Sequence, residues 1–272
     1  MKQRLISAFF GVILLIIVIL SPVAVINICV LLLAEIAIHE MLSALKLKAH
    51  KLTYYLSMLM PIVIVLSEYF TSASWKSVIF IYLLLMLVTM VFKHDKYTFS
   101  VVSSSFTAVV FITTSFLLLT KIRAMDNGLA NLFLVLIGSW ITDSCAYFAG
   151  RAFGKHKLAP TLSPKKTVEG SIGGILGTII VFVAYGMLIS NIIDNVQVNF
   201  ISIGLLGLIC GIVSQIGDLS ASAIKREQNI KDFGNLMPGH GGVMDRFDSV
   251  LFVAPTVFYF ITNFPVFLTV IR

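Results

Sequence analysis

The feature that most constrains this chain is a series of apolar runs, each long enough to form a membrane-spanning helix. The runs at residues 9–20 and 78–91 carry no charge and lie within longer apolar stretches. A bilayer core of about 30 Å requires about 20 apolar residues per helix. Only 12% of the 272 residues are charged, about half the share found in a soluble domain. The sequence therefore predicts an integral membrane protein.

Nine apolar stretches predict an all-α polytopic fold with about nine transmembrane helices. The stretch nearest the N-terminus is interpreted as a retained span, because no small-x-small cleavage site follows it. We expect a single membrane domain over residues 1–272, with N-terminal spans at about 1–125 and catalytic spans and loops at about 126–272. The predicted spans are residues 5–20, 23–45, 52–70, 77–92, 98–120, 129–150, 170–190, 199–224 and 249–270.

The Lys and Arg residues are distributed unevenly over the connections between these spans. With the N-terminus inside, sixteen of the twenty lie on the cytoplasmic side, and four lie on the other: Lys76, Lys121, Arg123 and Arg272. Basic residues favour cytoplasmic loops, so we expect a multi-pass protein of the cell inner (cytoplasmic) membrane with a cytoplasmic N-terminus. This asymmetry accounts for the net charge of +7 without a nucleic-acid partner.

Two of the cytoplasmic connections, residues 151–170 and 225–246, exceed what a topology signal requires. Both are long and rich in Gly, Pro and charged residues. Functional residues are concentrated on loops that a rigid scaffold positions. We therefore expect an active site that faces the cytoplasm, where nucleotides and Mg²⁺ are available.

Four aspartates are candidate metal ligands. Asp143 and Asp218 lie inside predicted spans, where a carboxylate is costly and normally faces a polar cavity; the alternative is a structural hydrogen bond to a neighbouring Ser or Thr. Asp245 and Asp248 share one face if a helix has begun there. Two close carboxylates favour a bound Mg²⁺, and the alternative is a pair of acids stabilised by the helix dipole.

Basic and glycine-rich segments beside these acids are typical of phosphate binding. Lys acts as a point charge and Arg as a bidentate donor, and glycine lets backbone N–H groups approach phosphate closely. Together they indicate phosphoryl or nucleotidyl transfer, with Asp218, Asp245, Lys225, Arg226 and Arg246 as candidate catalytic residues. The candidate substrate-binding residues from these segments are Ser163, Lys165, Lys166, Thr167, Lys231, His240, Gly241 and Gly242.

Acids and a histidine near the end of the second span are interpreted differently. Glu35 and His39 are four residues apart, and Glu40 lies beside them. That spacing also suits a metal site, but a local hydrogen bond or an interfacial anchor is the favoured interpretation.

The segment from Ser222 to Asp248 resembles the signature of phosphatidate cytidylyltransferases. It begins Ser-Ala-Ile-Lys-Arg and ends Gly-His-Gly-Gly-Val-Met-Asp-Arg-Phe-Asp. The segments 217–219 and 163–170 are also similar to that family. Two positions depart from its pattern: Met237 stands in place of Leu, Ile or Phe, and Val168 in place of Trp. Both changes are apolar and bear on local packing.

The resemblance implies a reaction, its substrates and further site residues. A phosphate oxygen of phosphatidic acid would attack the α-phosphorus of CTP, pyrophosphate would leave, and CDP-diacylglycerol would remain among the membrane lipids. The family likeness further implies a homodimer and Mg²⁺ dependence, and it allows a second cation such as K⁺. It adds Glu169, Ser222 and Asp232 to the candidate substrate-binding residues.

Two alternatives stay open. A related CTP-dependent lipid enzyme, such as a polyprenol kinase or an archaeal-type CDP-lipid synthase, would share the charge pattern but make another product. A transporter would use the intramembrane acids as ion sites. Transporters often contain repeated halves with matching discontinuous helices. Here the polar groups cluster in the C-terminal half, which disfavours that alternative.

Overall fold

A computed structural model describes residues 11, 13–70, 75–236, 239 and 241–269 of this chain. Residues 13–20 are helical, and eight longer helices follow within the described residues. A single 3₁₀ turn, Leu47–Ala49, separates the first two of them. The helices are α1 (Val23–Ala44), α2 (Lys51–Phe70), α3 (Trp75–Phe92), α4 (Phe99–Ala124), α5 (Gly128–Phe153), α6 (Val168–Ile192), α7 (Phe200–Glu227) and α8 (Met244–Asn263).

The predicted all-α polytopic fold is confirmed. Six of the described helices, α1 and α3 to α7, are long and apolar enough to cross a membrane. Helix α2 contains a shorter apolar segment, Lys51–Ser67. Helix α8 begins with a charged turn and continues as an apolar helix. The first predicted span, residues 5–20, lies partly outside the described residues.

Short strands lie in two of the connections and at the C-terminal end. Strand β1 (Lys157–Ala159) pairs antiparallel with β2 (Ser163–Thr167), and β3 (Val196–Val198) pairs antiparallel with β4 (Phe267–Thr269). The predicted end of the ninth span, at residue 270, is therefore wrong. Helix α8 stops at Asn263 because Pro265 lacks a backbone N–H and disfavours helical geometry in the residue before it.

The chain forms two compact units. The first unit comprises the described parts of Met1–Leu117 and Glu227–Arg246. Within it, α2 packs against both α1 and α3. The buried Ser57 and Tyr82 hydroxyls lie 2.8 Å apart, and the Tyr82 ring stacks on Phe106 at a centroid distance of 5.6 Å. Ser57 and Tyr82 thus satisfy each other's polar groups inside the protein, as a lipid environment favours.

The second unit comprises Leu118–Arg226 and the described part of Phe247–Arg272. Its most extensive helix contact is between α5 and α6. Small residues make this contact close: a Cβ atom added at Gly170 would lie 2.7 Å from the Ala146 carbonyl oxygen, and one at Gly174 would lie 2.9 Å from that of Thr142. The Thr142 and Thr178 hydroxyls are 2.6 Å apart across the same contact. Close helix pairing of this kind is typical of membrane proteins.

Candidate active site

A cavity of about 470 Å³ lies within the second unit. Its walls come from α5, the β1–β2 hairpin, the start of α6, and α7. The cavity brings together six residues that the sequence had predicted as site residues: Asp143, Ser163, Lys165, Lys166, Thr167 and Asp218. These residues come from three separate parts of the chain, and the fold places their two carboxylates and two ammonium groups on one cavity.

The β1–β2 hairpin delivers the basic residues to the cavity. In its register Lys157 pairs with Thr167 and Ala159 pairs with Ser163. Thr167 is also the N-cap of α6, because its Oγ1 accepts a hydrogen bond from the Gly170 N–H at 3.1 Å. An N-cap hydroxyl satisfies one of the unpaired N–H groups at a helix start. The hairpin is therefore joined to α6 without a flexible linker, and Lys165 and Lys166 immediately precede that junction.

An ion pair joins the hairpin to α7 at this cavity. The Lys166 ammonium contacts the Asp218 carboxylate, and the two side chains are 24% and 27% exposed. Asp218 Oδ1 also lies 3.4 Å from the Ser222 hydroxyl, one turn further along α7, which donates to it. Partial burial strengthens the attraction between such charges relative to water. The pair therefore places an ammonium group directly beside a carboxylate on the cavity wall.

Glu169 binds the segment that leads into the β1–β2 hairpin. Its Oε2 accepts hydrogen bonds from the backbone N–H groups of Lys155 at 3.0 Å and His156 at 3.2 Å. Its Oε1 lies 2.6 Å from His156 Nδ1. These contacts attach the segment between α5 and β1 to the first turn of α6. The substrate contact predicted for Glu169 remains a prediction, while its described contacts are with this segment.

The other residues that line the cavity were not predicted, and three of them have long polar side chains: Tyr147, Arg151 and Gln215. Asp143, Tyr147 and Arg151 are spaced four apart on α5, so they share one helix face. That period was the signal available in the sequence. Arg151 was counted among the charges of the 151–170 connection and was not singled out as a site residue. Gln215 is held in place because its Nε2 donates to the Ser171 carbonyl at 3.2 Å.

Asp248 lies on α8 within the second unit. Helix α8 begins at Met244, so Asp245 and Asp248 are three residues apart in a helix, as expected. Asp248 Oδ1 accepts from the Ser249 N–H at 2.7 Å. A Cβ atom added at Gly217 would lie 3.0 Å from the Asp248 carbonyl oxygen. The α7 turn that carries Asp218 therefore packs against the α8 turn that carries Asp248.

Asp245 belongs to the first unit, where it contacts its own loop. Its side chain is 8% exposed. Its Oδ2 accepts backbone N–H bonds from Phe233 at 2.7 Å and from Gly242 at 3.1 Å. Gly241 has a φ of +83°, in the left-handed region that favours glycine. His240, a predicted substrate-binding residue, lies outside the described residues, as does Met237.

The remaining predicted charged residues lie at the end of α7, in the loop that follows it, or in the first turn of α8. Arg226 Nε donates to the Leu162 carbonyl at 3.3 Å, which links α7 to the turn of the β1–β2 hairpin. The other predicted residues of this region are a half-buried Lys225 and the exposed Lys231, Asp232 and Arg246.

The cavity offers two carboxylates as metal ligands. Among the described residues, no three His, Cys, Asp or Glu side chains form a metal-binding group. Asp143 and Asp218 nevertheless line the same cavity. Mg²⁺ binds proteins through one or two carboxylates and completes its octahedron with water and phosphate oxygens. Asp143 and Asp218 are therefore the carboxylates of this cavity that could hold such an ion.

Comparison with known proteins identifies what this chain is similar to. A model of the cytidylyltransferase family matches residues 2–264. The phosphatidate cytidylyltransferase of Bacillus subtilis is 32% identical over 271 residues, which cover 97% of this chain and 98% of that protein. That of Staphylococcus epidermidis is 32% identical over 260 residues, 94% of this chain and 96% of that protein. That of Thermotoga maritima is 36% identical over 163 residues, 60% of each.

Proposed function

Because this chain belongs to the cytidylyltransferase family, we propose that it transfers the cytidylyl group of CTP to phosphatidic acid. The products are CDP-diacylglycerol and pyrophosphate, as the names of the relatives suggest. The observation that carries the proposal is the cavity of the second unit, which combines Asp143 and Asp218 with Lys165, Lys166 and Arg151. Both substrates are phosphate esters, and this set of charges suits them.

The proposed reaction is a displacement at the α-phosphorus of CTP. A phosphate oxygen of phosphatidic acid forms the new P–O bond, and the bond from the α-phosphorus to the oxygen that bridges to the β-phosphorus breaks. The departing electron pair leaves with pyrophosphate. A phosphate monoester is largely ionised near pH 7, so the acceptor needs no strong base. Positioning and charge neutralisation then supply most of the rate enhancement.

The cations of the cavity perform that neutralisation. Lys166 contacts Asp218 in the structure, and a phosphate oxygen offers its ammonium group an equivalent anionic partner. Lys165 and Arg151 add two further positive charges to the same walls. Charges fixed in advance of the reaction stabilise the developing charge on pyrophosphate without reorganisation. Asp143 and Asp218 are the residues we propose to hold Mg²⁺, which when bound neutralises phosphate charge and polarises the P–O bond.

The lipid is proposed to reach the cavity from the side, with its acyl chains left in the bilayer. Tyr147 lines the cavity and is also 61% exposed on the surface of α5. Its neighbour Phe148 is 66% exposed, as expected for a lipid-facing position. The edge of the cavity thus adjoins a helix surface suited to hydrocarbon, and only the phosphate head group has to enter.

Purified full-length protein in detergent micelles is expected to move label from [α-³²P]CTP into extractable lipid when phosphatidic acid and Mg²⁺ are both present. Diacylglycerol, which lacks the phosphate, is the matched control acceptor and should remain unlabelled. Chelation with EDTA should stop the reaction, and added Mg²⁺ should restore it; K⁺ is titrated separately. Equal labelling of diacylglycerol would exclude the proposed acceptor, and full activity in EDTA would exclude the metal.

We also propose that the hairpin beside the cavity faces the cytoplasm, on the basis of the sixteen-to-four distribution of basic residues. Lys157 and Asp194 lie beyond opposite ends of α6 and are both exposed. Single cysteines at these positions, in a background without the three native cysteines, should react differently with a membrane-impermeant maleimide. In intact cells we expect label at residue 194 and none at 157. The reverse pattern would place the hairpin outside.

A further inference from the structure

Glu40, a buried acid of α1, contacts the loop that precedes α8. Its side chain is 6% exposed. Oε1 accepts the Val243 N–H at 3.1 Å, and Oε2 accepts the Met244 N–H at 2.8 Å. All three residues belong to the first unit. The two oxygens of one carboxylate therefore bind two consecutive N–H groups at the start of a helix about 200 positions later in the sequence.

The loop is shaped to admit this carboxylate. A Cβ atom added at either Gly234 or Gly242 would collide with the carboxylate of Glu40. Asp245 is a second buried acid, and its Oδ2 accepts hydrogen bonds from the N–H groups of Phe233 and Gly242 in the same loop. Two internal carboxylates together accept four backbone N–H groups, at residues 233 and 242–244. The carboxylates of Glu40 and Asp245 therefore fix the backbone of this loop at these residues.

The first N–H groups of a helix lack partners within the helix and favour an anion. At α8 an anion-binding position of this kind is taken by Glu40. The Val243 and Met244 N–H groups therefore fix the loop to α1 and set the direction of the first turn of α8. Asp245 and Arg246 are carried by that turn.

We propose that Glu40 is a positioning residue for cytidylyl transfer. It holds the loop before α8 and the first turn of that helix in place through backbone N–H groups, without contact with substrate. That turn carries Asp245 and Arg246, two of the predicted catalytic residues. This inference rests on the proposed function for its kinetic consequence. The loop conformation itself can be tested without turnover.

Replacing Glu40 by Gln preserves the side-chain volume but changes one acceptor oxygen into an NH₂ group that faces a backbone N–H. A buried donor left without an acceptor is costly, and we expect Glu40→Gln to lower kcat by about tenfold or more. Glu40→Asp keeps both oxygens and should recover part of that loss. Glu35→Gln is the matched control on the same helix. It should keep the kcat of the wild-type protein, because Glu35 Oε1 has no hydrogen-bond partner among the described residues.

Trypsin cleavage after the exposed Lys231 measures the loop independently of catalysis. Cleavage there should be about tenfold faster in Glu40→Gln than in wild type, since a segment released from its anchor opens more often, and unchanged in Glu35→Gln. In Glu40→Ala, added formate should slow cleavage after Lys231 and raise kcat, because a free carboxylate can occupy the vacated position; acetamide, its neutral control, should do neither.

The kcat values and the cleavage rates test the role of Glu40 separately from the proposed cytidylyl transfer. Wild-type kcat and wild-type cleavage in Glu40→Gln would overturn the role of Glu40. A loss of kcat with unchanged cleavage and no effect of formate on Glu40→Ala would also overturn it. If Glu40→Gln fails to fold, Glu40→Asp and Glu40→Ala with formate decide between the same results. If the wild-type protein forms no CDP-lipid, the proposed function fails, while the cleavage rates still decide whether Glu40 holds the loop.

Discussion

The substitution Asp218→Asn is expected to lower the kcat for CDP-diacylglycerol formation by about a thousandfold, the scale on which one preorganised electrostatic group acts. Asp218 lines the cavity, contacts Lys166 and accepts from Ser222. An amide has the same shape but no charge, so it binds Mg²⁺ poorly and cannot pair with the ammonium group. Turnover of radiolabelled CTP by the purified variant, at saturating concentrations of both substrates and of Mg²⁺, provides the measurement.

Asp194→Asn is the matched control for that experiment. Asp194 is exposed in the turn between α6 and β3, in the same unit. The same chemical change should leave kcat within about twofold of wild type, as surface substitutions usually do. If Asp218→Asn turned over CTP at the wild-type rate, both the proposed metal site and the role of this carboxylate would be wrong.

Lys166→Gln is expected to have the second largest effect, a decrease in kcat/KM for CTP of about a hundredfold, because a fixed cation that meets developing phosphate charge is lost. The substitution also leaves Asp218 without its ion-pair partner. Lys166→Arg keeps the charge but replaces a compact ammonium by a planar fork, so we expect only partial recovery. Initial rates over a range of CTP concentrations measure both variants.

Lys157→Gln, on the opposite strand of the same hairpin, controls for the loss of one positive charge. Lys157 is exposed and should tolerate the change. A comparable decrease in kcat/KM in Lys157→Gln would indicate that general surface charge, and not the cavity position, determines CTP binding. The double variant Lys166→Gln/Asp218→Asn should lose less activity than the product of the two single losses, because the effects of groups that act as a unit are not additive.

Hydropathy was sufficient to predict the membrane-spanning architecture, because a bilayer imposes length and composition on every helix. The end of α8 was missed because apolar residues, among them Phe267 and Leu268, follow Pro265 and extend the hydropathy of the predicted span. In the structure Phe267–Thr269 forms strand β4. The β1–β2 hairpin was missed for a related reason. Its strands have three and five residues, too short for an alternating pattern, and Pro164 within β2 argues against a strand.

The candidate site was predictable where a residue was out of place for its surroundings. Asp143 and Asp218 stood out because a carboxylate in an apolar span is costly, and Lys166 because it belongs to a loop with more charge than topology needs. Arg151 belongs to the same loop and was not recognised, because the spacing of four that places it on one helix face with Asp143 was not used. Glu40 was not recognised because its partners are backbone N–H groups in a distant segment, which no residue pattern records.

The position of the transferred phosphorus tests the central claim most directly. Purified protein is incubated with phosphatidic acid, Mg²⁺ and CTP labelled at either the α- or the γ-phosphorus, and lipid and aqueous products are separated. Cytidylyl transfer predicts that the α-label appears in lipid, and that the γ-label appears in pyrophosphate in equal amount. A γ-label in lipid together with CDP in water would instead identify a CTP-dependent lipid kinase and contradict the proposed reaction.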